Sequence, residues 1–100
     1  MNLRIATFGL LALLSGPVLA GQISGIIQDG SGPLRGALVS IDCSGQVATD
    51  ATDDNGRYNI YQAATGPCTL DVYGASARVF SSRQPTRHNF VLTRATLTEQ

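Results

Sequence analysis

Turn-forming residues interrupt this chain at short intervals from Asp29 onwards, and this spacing is what most restricts its fold. The stretches "DGSGPLRG" (29–36), "DDNG" (53–56) and "TGP" (65–67) are followed by Gly74. The runs between them have the length of strands, and apolar residues alternate in them with polar ones. No window keeps the spacing of an amphipathic helix for several turns. Short alternating runs separated by turns predict an all-β sandwich.

The alternation also predicts which side of each strand faces the core, because successive side chains of a strand point to opposite faces. The residues predicted to be buried are Ile23, Gly25, Ile27, Ala37, Val39, Ile41, Cys43, Tyr58, Ile60, Cys68, Leu70 and Val72. The C-terminal third is less regular. We expect strands near 78–81 and 89–93, with Pro85 ending any central strand between them. The last residues, "ATLTEQ", either extend the final strand or fray.

The first twenty residues have the pattern of a secretory signal peptide. Arg4 precedes an apolar run at 5–14, and helix-breaking residues then lead into the small-residue motif "VLA". We therefore expect cleavage between Ala20 and Gly21, which leaves residues 21–100 as one small domain in the bacterial periplasm or outside the cell. The alternative is a membrane anchor, but the run is shorter than the roughly 18–20 residues that span a bilayer. We expect no membrane span in the mature chain.

Export makes a disulfide the expected state of Cys43 and Cys68, the two cysteines of the chain, because secretory compartments are oxidising. Two cysteines allow one pairing, and the alternation places both on the core side of their strands. A domain this short buries only about three-fifths of its unfolded surface. A covalent link would therefore supply stability that the core alone lacks.

The stretch "TDDNGRYNI" (52–60) has two interpretations. A calcium loop needs alternating oxygen ligands and a closing Glu, but counting from Asp50 puts Tyr61 at the closing position. The same letters are typical of a hairpin turn leading into a strand, since Asn and Gly tolerate positive φ. We predict the turn, in which Thr52 and Asp53 bond to the turn backbone. No metal is expected.

The charge distribution gives one candidate contact surface. Residues 21–100 contain six Arg, no Lys and seven acids, so they lack the basic excess of a nucleic-acid-binding protein. The segment from Gly74 to Arg94 contains no acid but includes Arg78, Arg83 and Arg87. These three arginines are either ordinary solvated residues or a site for an anionic ligand or partner, since guanidinium groups suit carboxylates and sulfates.

The order of motifs resembles the carboxypeptidase regulatory-like domain. The matching stretches are "SGIIQDGSGPLRGALVSI", "ATDATDDNGRYNI" and "TGPCTLDVYG", and the resemblance covers roughly 22–74. It implies a transthyretin-like (prealbumin-like) Greek-key β-sandwich of about seven strands, grouped with the carbohydrate-binding-like folds. In such a fold Gly32 and Pro33 would shape the first hairpin, Gly56 would turn the chain and Tyr58 would fill the core. Family resemblance suggests carbohydrate or protein ligands.

The residues needed for several kinds of catalysis are missing. His88 is the single histidine, and the cysteines are better explained as a disulfide than as a nucleophile or zinc ligands. Hydroxyisourate hydrolases share this fold, but they use more than one His and a C-terminal "YRGS" tail, whereas this chain ends "ATLTEQ". We therefore predict that the protein is not an enzyme and has no cofactor.

These observations predict a non-catalytic exported module of the bacterial periplasm or cell envelope that binds a carbohydrate or a cell-envelope protein. Tyr61, Tyr73 and Phe80 are the aromatic candidates for stacking on a sugar. One alternative is a structural or assembly subunit that joins partners through an exposed strand edge. Another is an uncharacterised hydrolase of the same fold. The oligomeric state stays open.

Overall fold

The computed structural model describes residues 21–100, so the predicted signal peptide and the Ala20 side of its cleavage position lie outside the described residues. The strands of the described part are β1 (Gly21–Asp29), β2 (Gly32–Pro33), β3 (Leu38–Cys43), β4 (Gln46–Ala51), β5 (Arg57–Gln62), β6 (Gly66–Val72), β7 (Ala75–Ser81), β8 (Thr86–Arg87), β9 (Phe90–Thr93) and β10 (Thr96–Glu99). None of residues 21–100 is helical, and this part of the chain accordingly offers no helix that could cross a membrane.

The strands form two sheets. In the first sheet β1 is central: it pairs antiparallel with β5 and β2 on one side, and parallel with β8 and β9 on the other. Strand β10 extends this sheet beyond β9. The second sheet is antiparallel in the order β4-β3-β6-β7. The all-β sandwich predicted from the turn spacing is thus confirmed.

The core lies between the inner faces of the two sheets, and the predicted alternation is confirmed there. Every apolar residue predicted to be buried belongs to the core cluster, and the predicted Gly25 is buried as well. Phe90 and Tyr58 are the largest side chains in it, at 1% and 2% exposure. The core also contains the polar side chain of Gln62, whose Nε2 donates to the carbonyls of Ile41 and Gln46 at 3.0 and 2.9 Å. Gln62 is tolerated inside because its donors have partners.

The disulfide between Cys43 and Cys68 is present, with the two Cα atoms 4.3 Å apart. Both residues are buried, as the alternation predicted. Asp42 is the register partner of Thr69, so the two cysteines are the next opposed pair along β3 and β6. The disulfide therefore joins neighbouring strands of one sheet and does not cross between the sheets.

The turn at 53–56 differs from a simple hairpin. Gly56 has a φ of 77° and its N–H donates to the carbonyl of Asp53 at 3.0 Å, which confirms the predicted tight turn. However, β4 lies in the second sheet and β5 in the first, so the turn carries the chain between sheets. The hydroxyl of Thr52 accepts a hydrogen bond from the N–H of Ala37 at 2.8 Å. The prediction that this side chain bonds to the turn backbone is therefore wrong.

The C-terminal third contains more pairing than the sequence predicts. Strand β8 follows Pro85 directly. The tail neither extends the final strand nor frays: after a turn it forms a separate strand, β10, which pairs with β9. Arg94 adopts a φ of 58° in the turn between β9 and β10. Eight strands have four or more residues, against about seven predicted, and β10 accounts for the difference.

Candidate functional site

A groove of about 480 Å³ lies on the outer face of the first sheet, and we refer to it as the β1–β5 groove. It is lined by Gln22, Ser24, Gly25 and Ile26 of β1, Arg57, Tyr58 and Asn59 of β5, Arg87 of β8, Asp50 and Ala51 of β4, and Asp53 of the following turn. The groove forms because β1 and β5 alternate: their inward residues fill the core, and their outward residues form its floor.

Cross-strand pairing places the polar side chains of the groove side by side. Ser24 is the register partner of Asn59 on β5 and of Arg87 on β8. The Nε2 of Gln22 donates to Oδ1 of Asn59 at 2.9 Å. The backbone N–H of Asn59 in turn donates to Oδ2 of Asp50 at 2.8 Å. The first bond orients the two side-chain amides of the floor, and the second positions the carboxylate of Asp50.

The carboxylate of Asp53 is held by backbone N–H groups. Its Oδ1 accepts from the N–H of Asn55 at 2.8 Å and of Arg57 at 2.9 Å. These bonds, the one from Arg57 being the larger cause, lower the pKa of Asp53 below its ordinary value, and the positive charge of Arg57 adds to the effect. Asp53 is therefore ionised at neutral pH, and its negative charge lies in the groove lining.

Two arginines line the groove from opposite sides of β1. Arg57 belongs to β5 and Arg87 to β8, and both are exposed. Neither makes an ion pair with a carboxylate of residues 21–100. Their guanidinium groups are therefore available for a ligand, although the nearby carboxylates of Asp50 and Asp53 keep the groove from being purely cationic.

An exposed aromatic ring lies on the same face. Tyr61 follows Arg57 and Asn59 in the alternation of β5 and is the register partner of Gln22. It is 64% exposed. Tyr73, in the turn between β6 and β7 of the second sheet, has almost the same exposure, 65%. The first sheet therefore combines hydrogen-bonding groups with one exposed aromatic ring on a rigid surface.

His88 connects the floor of the groove to the C-terminal strand. Its Nδ1 is 2.6 Å from Oε2 of Glu99 on β10, and its side chain is 17% exposed. The hydroxyl of Tyr58 donates to the carbonyl of His88 at 2.6 Å. Burial, and secondarily the negative charge of Glu99, raises the pKa of Tyr58 well above its ordinary value, so this hydroxyl stays protonated and remains a donor. His88 is thus a half-buried, paired residue of the β8–β9 junction.

The three arginines predicted as a contact surface do not come together. Arg87 lines the β1–β5 groove. Arg78 is on β7 in the second sheet, opposite Thr69, and lines a separate shallow pocket of about 250 Å³ that also contains Asp42. Arg83 lies in the exposed loop between β7 and β8. Their closeness in sequence was misleading because the chain changes sheets between β7 and β8.

Four polar residues of the groove, Gln22, Ser24, Arg57 and Asn59, were not predicted as site residues from the sequence. The alternation already places all four on outward faces, so their orientation was predictable. Their proximity was not, because the pairing of β1 with β5 joins segments more than thirty residues apart. Among residues 21–100 no cluster of three or more His, Cys, Asp or Glu side chains is arranged to hold a metal ion.

Comparison with known proteins shows the fold. No family model matches the chain, and no curated protein matches it significantly. The 5-hydroxyisourate hydrolase of Klebsiella pneumoniae is structurally similar, with a TM-score of 0.65, 20% identity, and coverage of 80% of this chain and 96% of that one. This comparison contradicts the prediction that the protein is not an enzyme. That prediction rested on missing residue sets, and one fold hosts both enzymes and binding modules according to the residues of the site.

Two modules of larger chains are also similar. BcpA, the major pilin subunit of Bacillus cereus, gives a TM-score of 0.54 at 14% identity, with 81% of this chain and 30% of the pilin covered. A chain of the type II cohesin–X-dockerin complex from Acetivibrio cellulolyticus gives a TM-score of 0.51 at 18% identity, with 77% and 56% covered. At these identities the similarity concerns the fold alone. The carboxypeptidase regulatory-like assignment stays a prediction, whereas the transthyretin-like fold is shown.

Proposed function

We propose that this chain is an exported binding module that holds a carbohydrate in the β1–β5 groove. The observation that carries the proposal is the composition of one rigid sheet face. Amides, carboxylates and guanidinium groups lie on adjacent strands there, and the exposed ring of Tyr61 continues the same face. Ligand sites commonly combine a few fixed polar groups with apolar surface in this way.

The polar groups of the groove fit a ligand with many hydroxyls. A hydroxyl is both donor and acceptor, and the groove offers donors from Arg57 and Arg87 and acceptors from Asp50 and Asp53. The apolar face of Tyr61 suits the C–H side of a sugar ring, since an aromatic ring presents a large rigid contact area. The side chains of Gln22 and Asn59 are already oriented by their mutual hydrogen bond, which reduces the entropy lost on binding.

The two exposed tyrosines give a matched test. A panel of soluble oligosaccharides is screened first, and the affinity of the best ligand is then measured by calorimetry. We expect Tyr61→Ala to weaken binding about tenfold, a loss of about 1.4 kcal/mol, because it removes the stacking surface beside the groove. Tyr73→Ala removes an equally exposed ring from the other sheet and should leave the affinity unchanged. Equal losses in the two variants, or no binding by any oligosaccharide, would contradict the proposal.

Export is part of the proposal, with residues 1–20 acting as the signal peptide. The disulfide supports it, because disulfides persist in oxidising compartments outside the cytoplasm. The intact mass of the protein recovered from the periplasm or medium should correspond to a chain that begins at Gly21. Recovery in a membrane fraction with residues 1–20 still attached would favour the anchor instead.

A further inference from the structure

The longest edge strand of the sandwich is β7, whose seven residues pair on one side with β6. Edge strands present unpaired N–H and C=O groups that can template another strand. The opposite edge of the same sheet, β4, is bridged to β5 by the carboxylate of Asp50. Strand β10 is shorter, with four residues, and lies near β7 without pairing with it. Strand β7 is therefore the most extended edge from which pairing could continue.

The hydrogen-bond pattern identifies which backbone groups of β7 face outwards. In an antiparallel pair, alternate residues bond to a given neighbour. The carbonyl of Phe80 accepts from the hydroxyl of Thr86, outside the sheet, at 3.2 Å. The backbone groups of Phe80 therefore point away from β6, and so do those of Arg78 and Ser76, which are two and four residues away along the strand. The same set follows from the other edge of the sheet. Ala37 and Thr52 form a hydrogen-bonded pair between the β3 and β4 segments. Bonded and non-bonded pairs alternate from there across β3 and β6, and this leaves the N–H and C=O groups of Ser76, Arg78 and Phe80 without partners on β6.

The side chains beside this edge favour one kind of partner. Arg78 is exposed and makes no ion pair with a carboxylate of the described residues, and Phe80 is 54% exposed. Two copies of this chain paired antiparallel over all seven residues of β7 would place Arg78 opposite its own counterpart. Like charges directly opposite each other destabilise a strand pair. Asp42 lines the same shallow pocket as Arg78 but forms no ion pair with it. The edge therefore suits a strand of another protein with an acidic side chain opposite Arg78.

We propose that β7 is a docking edge for an extended acidic segment of a partner protein, which adds as a fifth strand to the second sheet. Backbone bonds to Ser76, Arg78 and the N–H of Phe80 hold the segment, while the carbonyl of Phe80 keeps its bond to Thr86. Arg78 selects for acid. This mode of recognition takes its affinity from main-chain bonds and its specificity from alternate side chains. It is independent of the β1–β5 groove, which lies on the other sheet.

The probe is a short capped peptide of alternating Thr and Val, N-methylated along one edge so that it pairs with one strand only. One Thr is replaced by Glu, and a matched peptide has Lys there. We expect the Glu peptide to slow amide exchange at Ser76, Arg78 and Phe80. Ala77 and Val79 should not change, because their N–H groups already bond to β6. The Lys peptide should bind several-fold more weakly.

Two variants distinguish backbone pairing along β7 from a non-specific charge attraction between peptide and protein. Arg78→Glu changes an exposed residue and should invert the preference between the two peptides. Ser76→Pro removes an outward N–H without touching the bonds to β6, and edge strands tolerate such a proline; it should abolish binding while the melting temperature stays close to that of the parent. Absence of Glu-peptide binding, equal affinity for both peptides, or a dimer that protects the same amides without peptide would overturn the proposal.

Discussion

The carboxylate of Asp53 organises the connection between the two sheets. It accepts backbone hydrogen bonds from Asn55 and Arg57, and the backbone of Asp53 itself bonds to the carbonyl of Arg57 and the N–H of Gly56. One carboxylate oxygen of a residue that could be taken for a metal ligand in the sequence is thus engaged by backbone N–H groups of its own turn. The turn also requires a positive φ at residue 56, which glycine supplies and other residues rarely adopt.

Because the pKa of Asp53 is lowered in the folded protein, we expect the stability of the protein to depend on pH through this residue. Its ionised form is favoured in the folded state, so the stabilisation is present above the ordinary value of 3.8 and is lost as the pH falls through the lower folded value. Asp53→Asn should be less stable than the parent at neutral pH, since its hydrogen bonds are no longer charge-assisted. The difference in free energy of unfolding between the parent and the variant should become smaller below pH 3.8. Urea denaturation across this range measures it.

The neighbouring Asp54 provides the control for this measurement. It is exposed, and its side chain forms no hydrogen bond with the described residues. Asp54→Asn should therefore leave both the stability and its pH dependence close to those of the parent. If the two variants behaved alike, the hydrogen bonds of Asp53 would not be the source of the effect.

At the scale of strands, the alternation predicted faces but not partners. The inward faces of β1, β3, β5 and β6 follow from a period of two in the sequence, which burial enforces. The pairings of β8 and β9 with β1 depend instead on a close approach at Gly25, where a Cβ atom would lie 1.9 Å from the carbonyl oxygen of His88. In the sequence Gly25 is simply a small residue on an inward face, so this junction could not be anticipated.

Gly25→Ala is therefore expected to destabilise the fold strongly. The added methyl group meets a backbone oxygen, which cannot move without disturbing the bond between the N–H of His88 and the carbonyl of Ser24. Overpacking of this kind costs about 1–3 kcal/mol. Gly30→Ala is the matched control, because nothing lies within 4 Å of its added Cβ. Chemical denaturation of both variants gives the difference, and equal stabilities would show that β1 and the His88 segment can separate without cost.

For the whole molecule, the sandwich was predictable because the alternation of apolar and polar residues within each strand shows which of its faces is buried. The assembly of the functional surface was not. The groove needs β1 beside β5 and β8, and Arg78 is separated from Arg87 because the chain passes to the other sheet after β7. The cysteines illustrate the same limit: their inward orientation was evident, but alternation alone does not say that β3 and β6 are neighbours.

The disulfide is expected to supply much of the stability of this small sandwich. It closes a loop with a sequence separation of 25 residues, for which the chain-entropy model gives about 3–4 kcal/mol. That is a large share of the roughly 5–15 kcal/mol by which folded domains are stable. Denaturant unfolding with and without a reductant measures the contribution. The reductant should lower the midpoint of the parent but leave a Cys43→Ala, Cys68→Ala double variant unchanged. A parent midpoint that does not move after free thiols have been detected would place its stability in the packing of Tyr58, Phe90 and their neighbours between the sheets.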